Sequence, residues 1–465
     1  MYQQTERGRS MKNIVVIGAG LAGLGAAWKC TQENKAVGAD VNCTIIEREI
    51  RPGGLCRTEK QGDFLFDYTG HLLHFQSDLF RKLVFSLNTE LVQKSRNAWI
   101  YSNQVYTRYP FQANLYGLPS NIVIDCLYEY SKQYFSHNKG EIATFEDWIK
   151  AYFGDGIARH FMIPYNSKIY KRHPRDMTPD ATGRFVPSSN LKLLLAGALS
   201  ENSGELGYNS IFHYPVRGGI ETIIKKIVSG LDNINLGETV AVVVPSEKIV
   251  ITSSGRHIPY DYLISTQPLP LLVKSIENDD AEGVKSAAEK LRHVSVLNVN
   301  FGFTANIEKM HWIYTPEGGV PFHRIGFPHN FSSSMAPSGH SSVYLEISYD
   351  PKEGIDLERA RSESKKALVN MGIIKYVGDI VCEKTIDIPY GYVIFDKSRN
   401  NSLDTIKKYL ESRNIYSVGR FGSWEYSSME DAFLMGVEAS SAIFKKISGS
   451  RKWGGESVCD SLHKE

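Results

Sequence analysis

Short apolar runs alternate with stretches of helical spacing along most of this chain, and their order predicts an α/β protein. Asn13 to Ile17 reads as a strand, runs into Gly18-Ala19-Gly20-Leu21-Ala22-Gly23, and is followed by a helix over Leu21 to Cys30. Val41 to Ile46 reads as a second strand ending in Glu47, with the polar segment Thr31 to Asp40 as an insertion. Cys126 to Tyr134, Phe145 to Tyr152 and Glu221 to Val228 carry helical patterns, and Leu191 to Leu199 is apolar enough to predict a helix packed into the core. Val240 to Val244, Ile249 to Thr252 and His257 to Tyr262 read as short strands, and Tyr262 to Thr266 as a buried strand stopped by Gln267-Pro268. Val294 to Phe301 and Ser342 to Ser348 suit a sheet forming one wall of a pocket, and residues 351–366 return to helix-like composition. Ile415 to Arg420 is a strand entering a glycine turn, and Glu430 to Phe444 a helix patterned to lie on a sheet. No internal repeat is present.

Strand, three glycines and helix together make a dinucleotide site. The glycines let the backbone turn tightly and approach a pyrophosphate, which then faces the positive end of the helix. Glu47 is placed to accept hydrogen bonds from ribose hydroxyls, although it lies further from Gly18 than the roughly 20 residues usual for such an acid. A glycine-rich turn in an empty α/β unit is the plainer reading of the same spacing.

Composition narrows the function classes. The 465 residues carry 53 lysines and arginines against 51 acids, a net charge of +2, so no general field for nucleic acid exists. Six cysteines at 30, 43, 56, 126, 382 and 459 lack metal-ligand spacing and read as free thiols, so no metal site is expected. No apolar run reaches the roughly 18 residues of a membrane span. Leu191 to Leu199 is the best candidate for a membrane-surface segment. The expected location is cytoplasmic.

Arg51-Pro52-Gly53-Gly54-Leu55-Cys56 and Asp67-Tyr68-Thr69-Gly70-His71 follow the first unit, and Arg51 or Arg57 is suited to phosphate oxygens. Their order resembles the FAD-binding superfamily of amine oxidases, protoporphyrinogen oxidases and UDP-galactopyranose mutases. Three further segments resemble the mutase branch: Gly70-His71-Leu72-Leu73-His74-Phe75, Phe161 to Tyr170, and Gly419-Arg420-Phe421-Gly422-Ser423-Trp424-Glu425-Tyr426 with Met429-Glu430-Asp431. Two departures stand out: Tyr170 replaces the tryptophan of the lysine motif, and Ser427-Ser428 occupy positions richer in tyrosine and asparagine or aspartate in typical mutases. Tyr214 to Gly219 also resembles the protoporphyrinogen oxidase and desaturase relatives.

The resemblance implies a discontinuous Rossmann-like FAD-binding domain with a largely helical insertion and a mixed-sheet substrate domain. Its expected limits are a disordered leader at 1–10, FAD-binding parts at 11–90, 206–290 and 411–447, the helical region at 91–205, the substrate domain at 291–410, and a mobile tail at 448–465. FAD is expected at Gly18, Gly20, Gly23, Glu47, Gly53, Gly54, Arg420, Trp424, Tyr426 and Met429. Catalytic candidates are His71 and His74 beside the flavin, Lys168 and Tyr392 beside the substrate, and Arg184 and Arg324 as diphosphate clamps. A structural histidine, a core tyrosine or an internal ion pair is the plainer reading for each. The implied reaction interconverts ring forms of a nucleotide-activated sugar, UDP-galactopyranose-like, through N5 of reduced flavin, with an external reductant as a further partner. The alternative is an FAD-dependent oxidase or desaturase of an amine, porphyrinogen or other small molecule. No coiled-coil pattern marks an interface for a homo-oligomer.

Overall fold

The computed structural model describes residues 11–37, 41–136, 140–181, 186–187, 189–201, 210–277, 281–305, 307 and 310–448. The expected leader at 1–10, the tail beyond Ser448, Cys459 and the clamp candidate Arg184 lie outside the described residues.

Four distant parts of the chain build one parallel sheet. Its order is Ile415–Ser417, Tyr262–Ser265, Lys12–Ile17, Val41–Glu47 and Ile234–Leu236. The inner strands are buried on both faces, as their continuous apolar runs require. The nucleotide-binding domain is therefore Rossmann-like and discontinuous. The terminal helix Met429–Ser448 lies against the helix Leu21–Val37 at backbone contact: a Cβ on Gly436 would sit 1.8 Å from the Ala22 carbonyl oxygen.

Beside it stands a seven-stranded mixed sheet in the order Ile380–Val393, His293–Phe303, Ser341–Tyr349, Arg324–Gly326, Trp312–Tyr314, Ala98–Ser102 and Val105–Arg108. A helical layer packs a third core, in which Phe111, Ile122, Cys126, Phe145, Ile149, Phe153, Ile157 and Leu194 meet. It comprises Ser120–Phe135, Phe145–Ile157, a π-helical turn Ala158–Met162, Ile163–Tyr170 and Leu191–Leu199.

Several elements differ from the sequence expectation. The first helix continues to Val37, taking in most of the expected insertion; Lys29 and Glu33 pair one turn apart at 2.6 Å along it. Within the stretch expected to be largely helical, Ala98–Ser102 and Val105–Arg108 form a hairpin of the seven-stranded sheet. Its turn residues Asn103 and Gln104 both adopt positive φ, and Tyr101 packs on Tyr106 across it at 4.9 Å. The 14-residue strand Ile380–Val393 was hidden because its outer face is polar and a proline interrupts it. Leu191–Leu199 is a helix that packs one face on the third core through Leu194 and Gly197, as expected, while Leu195 and Leu199 face outward. Among the described residues the five cysteines are free, no helix is long and apolar enough to cross a membrane, and no cluster of metal-ligating side chains occurs.

Candidate active site

A cavity of about 1170 Å³ runs from the glycine turn to the wall of the seven-stranded sheet. That exceeds the few hundred to roughly 1,000 Å³ of an ordinary small-ligand pocket, and has room for an elongated cofactor with a second molecule beside it.

The glycine end is shaped by backbone. Gly18 adopts φ +99° as its amide bonds the Ile46 carbonyl at 2.8 Å, and a Cβ on Gly23 would lie 1.9 Å from the Gly18 carbonyl oxygen. Gly23 thus lets the helix start directly beneath the turn, and does not itself line the cavity. Gly18, Gly20, Gly53 and Gly54 do line it, with the Gly53 amide bonded to the Ala19 carbonyl at 2.8 Å. Glu47 closes the far side, its carboxylate accepting from the Ala19 amide at 2.6 Å and the Glu49 amide at 2.8 Å. Arg51 pairs with Glu59, and Arg57 donates to the Gly54 carbonyl at 2.8 Å, so both arginines brace this loop.

At the other end the wall is tyrosine and paired charge. Arg324 grips Glu346 with Nε and Nη2, each at 2.8 Å. Tyr392 donates to the same carboxylate at 3.2 Å and stacks on Tyr426 with rings 5.9 Å apart and 9° from parallel. The Arg420 guanidinium sits 4.4 Å from the Tyr426 ring centre and donates to the carbonyls of Ser427 and Gly391 at 2.9 and 3.0 Å. It thereby ties the start of the terminal helix to the end of the strand Ile380–Val393. Glu346 is fully buried; burial pushes its carboxyl up, but Arg324 and His323 outweigh that and hold it at about 2.

His71 and His74 share a loop held by paired backbone bonds between Leu73 and His213, at 2.9 and 3.0 Å. His74 sits 3.1 Å from the Ile211 carbonyl through Nδ1, an anchoring contact. His71 Nδ1 is buried without a hydrogen-bond partner among the described residues. Burial, followed by the charges of Arg420 and Arg324 against Glu346, draws His71 down to about 4. His71 is therefore expected to remain neutral from pH 5 upward. NMR titration of its ring protons should show no inflection between pH 5 and 8, and an inflection near 6.5 would contradict the buried placement.

Besides Gly23, two further candidates lie away from the cavity. Trp424 takes a left-handed backbone (φ 56°), which turns its indole into the core against His293 and Tyr390. Its expected flavin contact is corrected. Lys168 does not line the cavity either; its ammonium donates to the carbonyls of Thr315 and Glu317 at 2.9 and 2.8 Å. Arg324, Tyr392, Tyr426, Met429, His71 and His74 all line it.

Sequence reasoning passed over Glu346, Tyr344 and Tyr314. The first two stand two residues apart on one face of Ser341–Tyr349, and the signal was a single acid inside an apolar strand. Asp67 was noticed only as part of a motif. Burial pushes it up to about 6 although it accepts from Thr58 at 2.6 Å and Tyr214 at 2.5 Å, and this network fixes the entry to the histidine loop. Glu430 and Asp431 take amide bonds: Glu430 from Gln76 and Ser77 at 3.0 and 2.8 Å, Asp431 from Ser428 at 2.8 Å.

A family model described as an NAD(P)-binding Rossmann-like domain matches residues 16–84. A crystal structure of reduced UDP-galactopyranose mutase is similar over 94% of this chain and 95% of its own, with a TM-score of 0.88 and 26% identity. A protoporphyrinogen oxidase homologue from Exiguobacterium sp. 255-15 has a TM-score of 0.72 and 16% identity over 94% of this chain and all of its own. The chain thus shares its fold with mutase, protoporphyrinogen oxidase and amine oxidase structures. A putrescine oxidase bound to putrescine extends the likeness of fold, with a TM-score of 0.64 and 14% identity over 93% of this chain and 99% of its own.

The donors and volume of this cavity suit the FAD that the resemblance implies. The glycine turn leaves a cradle that a Cβ would fill, and Gln267 Nε2, His71 Nδ1 and Ser427 Oγ are buried polar atoms of lining residues without partners among the described residues.

Proposed function

We propose that this chain is a reduced-FAD-dependent mutase interconverting ring forms of a nucleotide-activated sugar, UDP-galactopyranose-like. The observation that carries this reading is one continuous cavity joining the dinucleotide cradle to a wall of stacked tyrosines and arginine, in a chain similar to a UDP-galactopyranose mutase over 94% of its length.

Gly18, Gly20, Gly53, Gly54 and Glu47 would hold the pyrophosphate and ribose of FAD, and Met429 with Tyr426 would border its ring system. When bound and reduced, the flavin supplies a nucleophile for the anomeric carbon as the nucleotide diphosphate leaves. The chain's own contribution is binding and water exclusion. Tyr392 and Tyr426 give flat faces with hydroxyl tips, suited to sugar and diphosphate edges. Arg324 brings positive charge, with its orientation fixed by Glu346, so little order is lost on binding. Neutral His71 offers a polar edge without adding a third positive charge beside Arg324 and Arg420. Arg184 remains part of the proposal as a second diphosphate clamp.

The test is anaerobic incubation of dithionite-reduced protein with UDP-galactose and a panel of UDP-, GDP- and dTDP-sugars. A ring isomer formed with reduced protein and absent with oxidised protein is the expected result. Failure to form any isomer overturns the reading. Net substrate oxidation starting from oxidised flavin would instead establish the oxidase alternative, which the fold shared with protoporphyrinogen and putrescine oxidases favours.

A further inference from the structure

We propose that Lys168 is a positioning residue, fastening the hairpin that carries Tyr314 and Arg324 to the helix that carries Tyr165, and so setting substrate affinity without touching substrate. The consequence for substrate rests on the nucleotide-sugar reading of the cavity; the fastening itself does not.

The hairpin joins Trp312–Tyr314 to Arg324–Gly326, with Tyr314 and Arg324 opposite each other in register. Its connecting loop crosses the base of the helix Ile163–Tyr170, where Lys168 Nζ reaches the Thr315 carbonyl at 2.9 Å and the Glu317 carbonyl at 2.8 Å. The loop is closed on itself by the Thr315 hydroxyl donating to the Phe322 carbonyl, and by the Thr315 amide bonded to the His323 carbonyl at 3.0 Å. His323 then donates its amide to the Glu346 carbonyl at 2.9 Å, and Arg324 follows with its grip on the Glu346 carboxylate.

One turn before Lys168, on the same helix face, Tyr165 sets its ring edge-on to Tyr314 at 5.5 Å and near His323 at 6.4 Å. Lys168 and Tyr165 therefore hold the loop and the strand of one hairpin from one helix. Ring packing constrains the strand but not the loop, where the Thr315 carbonyl takes its bond from the ammonium and the Glu317 carbonyl adds the ammonium to a long bond from the Val320 amide at 3.3 Å. Burial pulls the Lys168 ammonium down to about 7, against the pull of Glu317, with Lys171 lowering it further. A buried lysine held this way is costly to leave in place unless its carbonyl partners need it.

The test uses Lys168→Met in the flavin-loaded protein, which keeps the apolar stem and removes the donors. Amide exchange across residues 312–326 should accelerate, while Lys12–Ile17 and its flavin occupancy stay at parental values. The KM for UDP-galactose should rise about tenfold with kcat little changed, the signature of lost uniform binding. Lys168→Gln, which keeps one donor, should show the same pattern at smaller amplitude, and serves if the methionine variant does not fold. Unchanged exchange and unchanged KM overturn the proposal. A fall in kcat with exchange unchanged also overturns it, because Lys168 would then act on the reacting atoms. Accelerated exchange in a protein whose parent neither binds nor converts UDP-galactose keeps the fastening and overturns the nucleotide-sugar reading alone.

Discussion

Replacing Glu346 with alanine is expected to destabilise the protein by about 3–5 kcal/mol, the usual cost of breaking a buried ion pair by removing one partner. The cost arises because the part-buried Arg324 is left without its carboxylate, while Tyr392 loses its acceptor, and the exposure of Arg324 to the cavity sets it at the low end of that range. Denaturant unfolding of parent and variant measures it. Glu346→Gln keeps the shape and one acceptor, so a smaller loss is expected.

The same pair sets an acid limit. The carboxyl of Glu346 lies at about 2 in the folded protein against an ordinary 4.5, so its stabilisation is complete above about pH 4.5 and is lost as pH falls from there toward 2. That shift corresponds to roughly 3 kcal/mol. Glu346→Gln should therefore lose less stability than the parent between pH 5 and 3. Parallel pH profiles for the two proteins would show that the pair is not held as the structure has it.

The second large effect is expected at Gly23. Its hydrogen faces the Gly18 carbonyl so closely that a Cβ would stand 1.9 Å from the oxygen and 3.3 Å from the Val16 side chain. Neither backbone can give way, since the Gly18 amide is tied to the Ile46 carbonyl at 2.8 Å and the Ala19 amide to Glu47 at 2.6 Å. Gly23→Val must push the helix off the turn that forms the cradle, at a cost of typically 1–3 kcal/mol or more for forced overpacking. Flavin affinity should fall by at least about tenfold, which is ~1.4 kcal/mol. Absorbance of the purified variant after reconstitution gives flavin per chain. Gly283→Ala is the matched control, since a Cβ there meets nothing within 4 Å. Full occupancy in Gly23→Val would remove the glycine turn from the cofactor site.

The local parts of this protein were legible in the sequence because they depend on residues close together in it. A strand, three glycines and a helix make the same turn wherever they occur. Glu47 lies at the end of a second strand paired in register with the first. The helix Glu221–Val228 was also legible, because its apolar residues repeat on one face. The hairpin at Asn103-Gln104 was less so: its turn residues are not glycine, and its aromatic pair reads equally as loop.

What the sequence by itself determined, then, was the nucleotide-binding topology and the tyrosine- and arginine-bearing segments that border the cavity. Only the tertiary structure decided what each side chain does there. Arg324 and Glu346 are separated by a turn and two short helices in sequence, but adjacent strands put them in register and in contact. Lys168 has the same helix spacing whether it faces a ligand or a loop, and the packing of the hairpin against its helix turned it to the loop. Trp424 and Tyr426 sit two residues apart, yet one left-handed residue sends the indole to the core and leaves the phenol at the cavity. Periodicity specifies a face; which partner occupies that face depends on contacts between elements far apart in the chain.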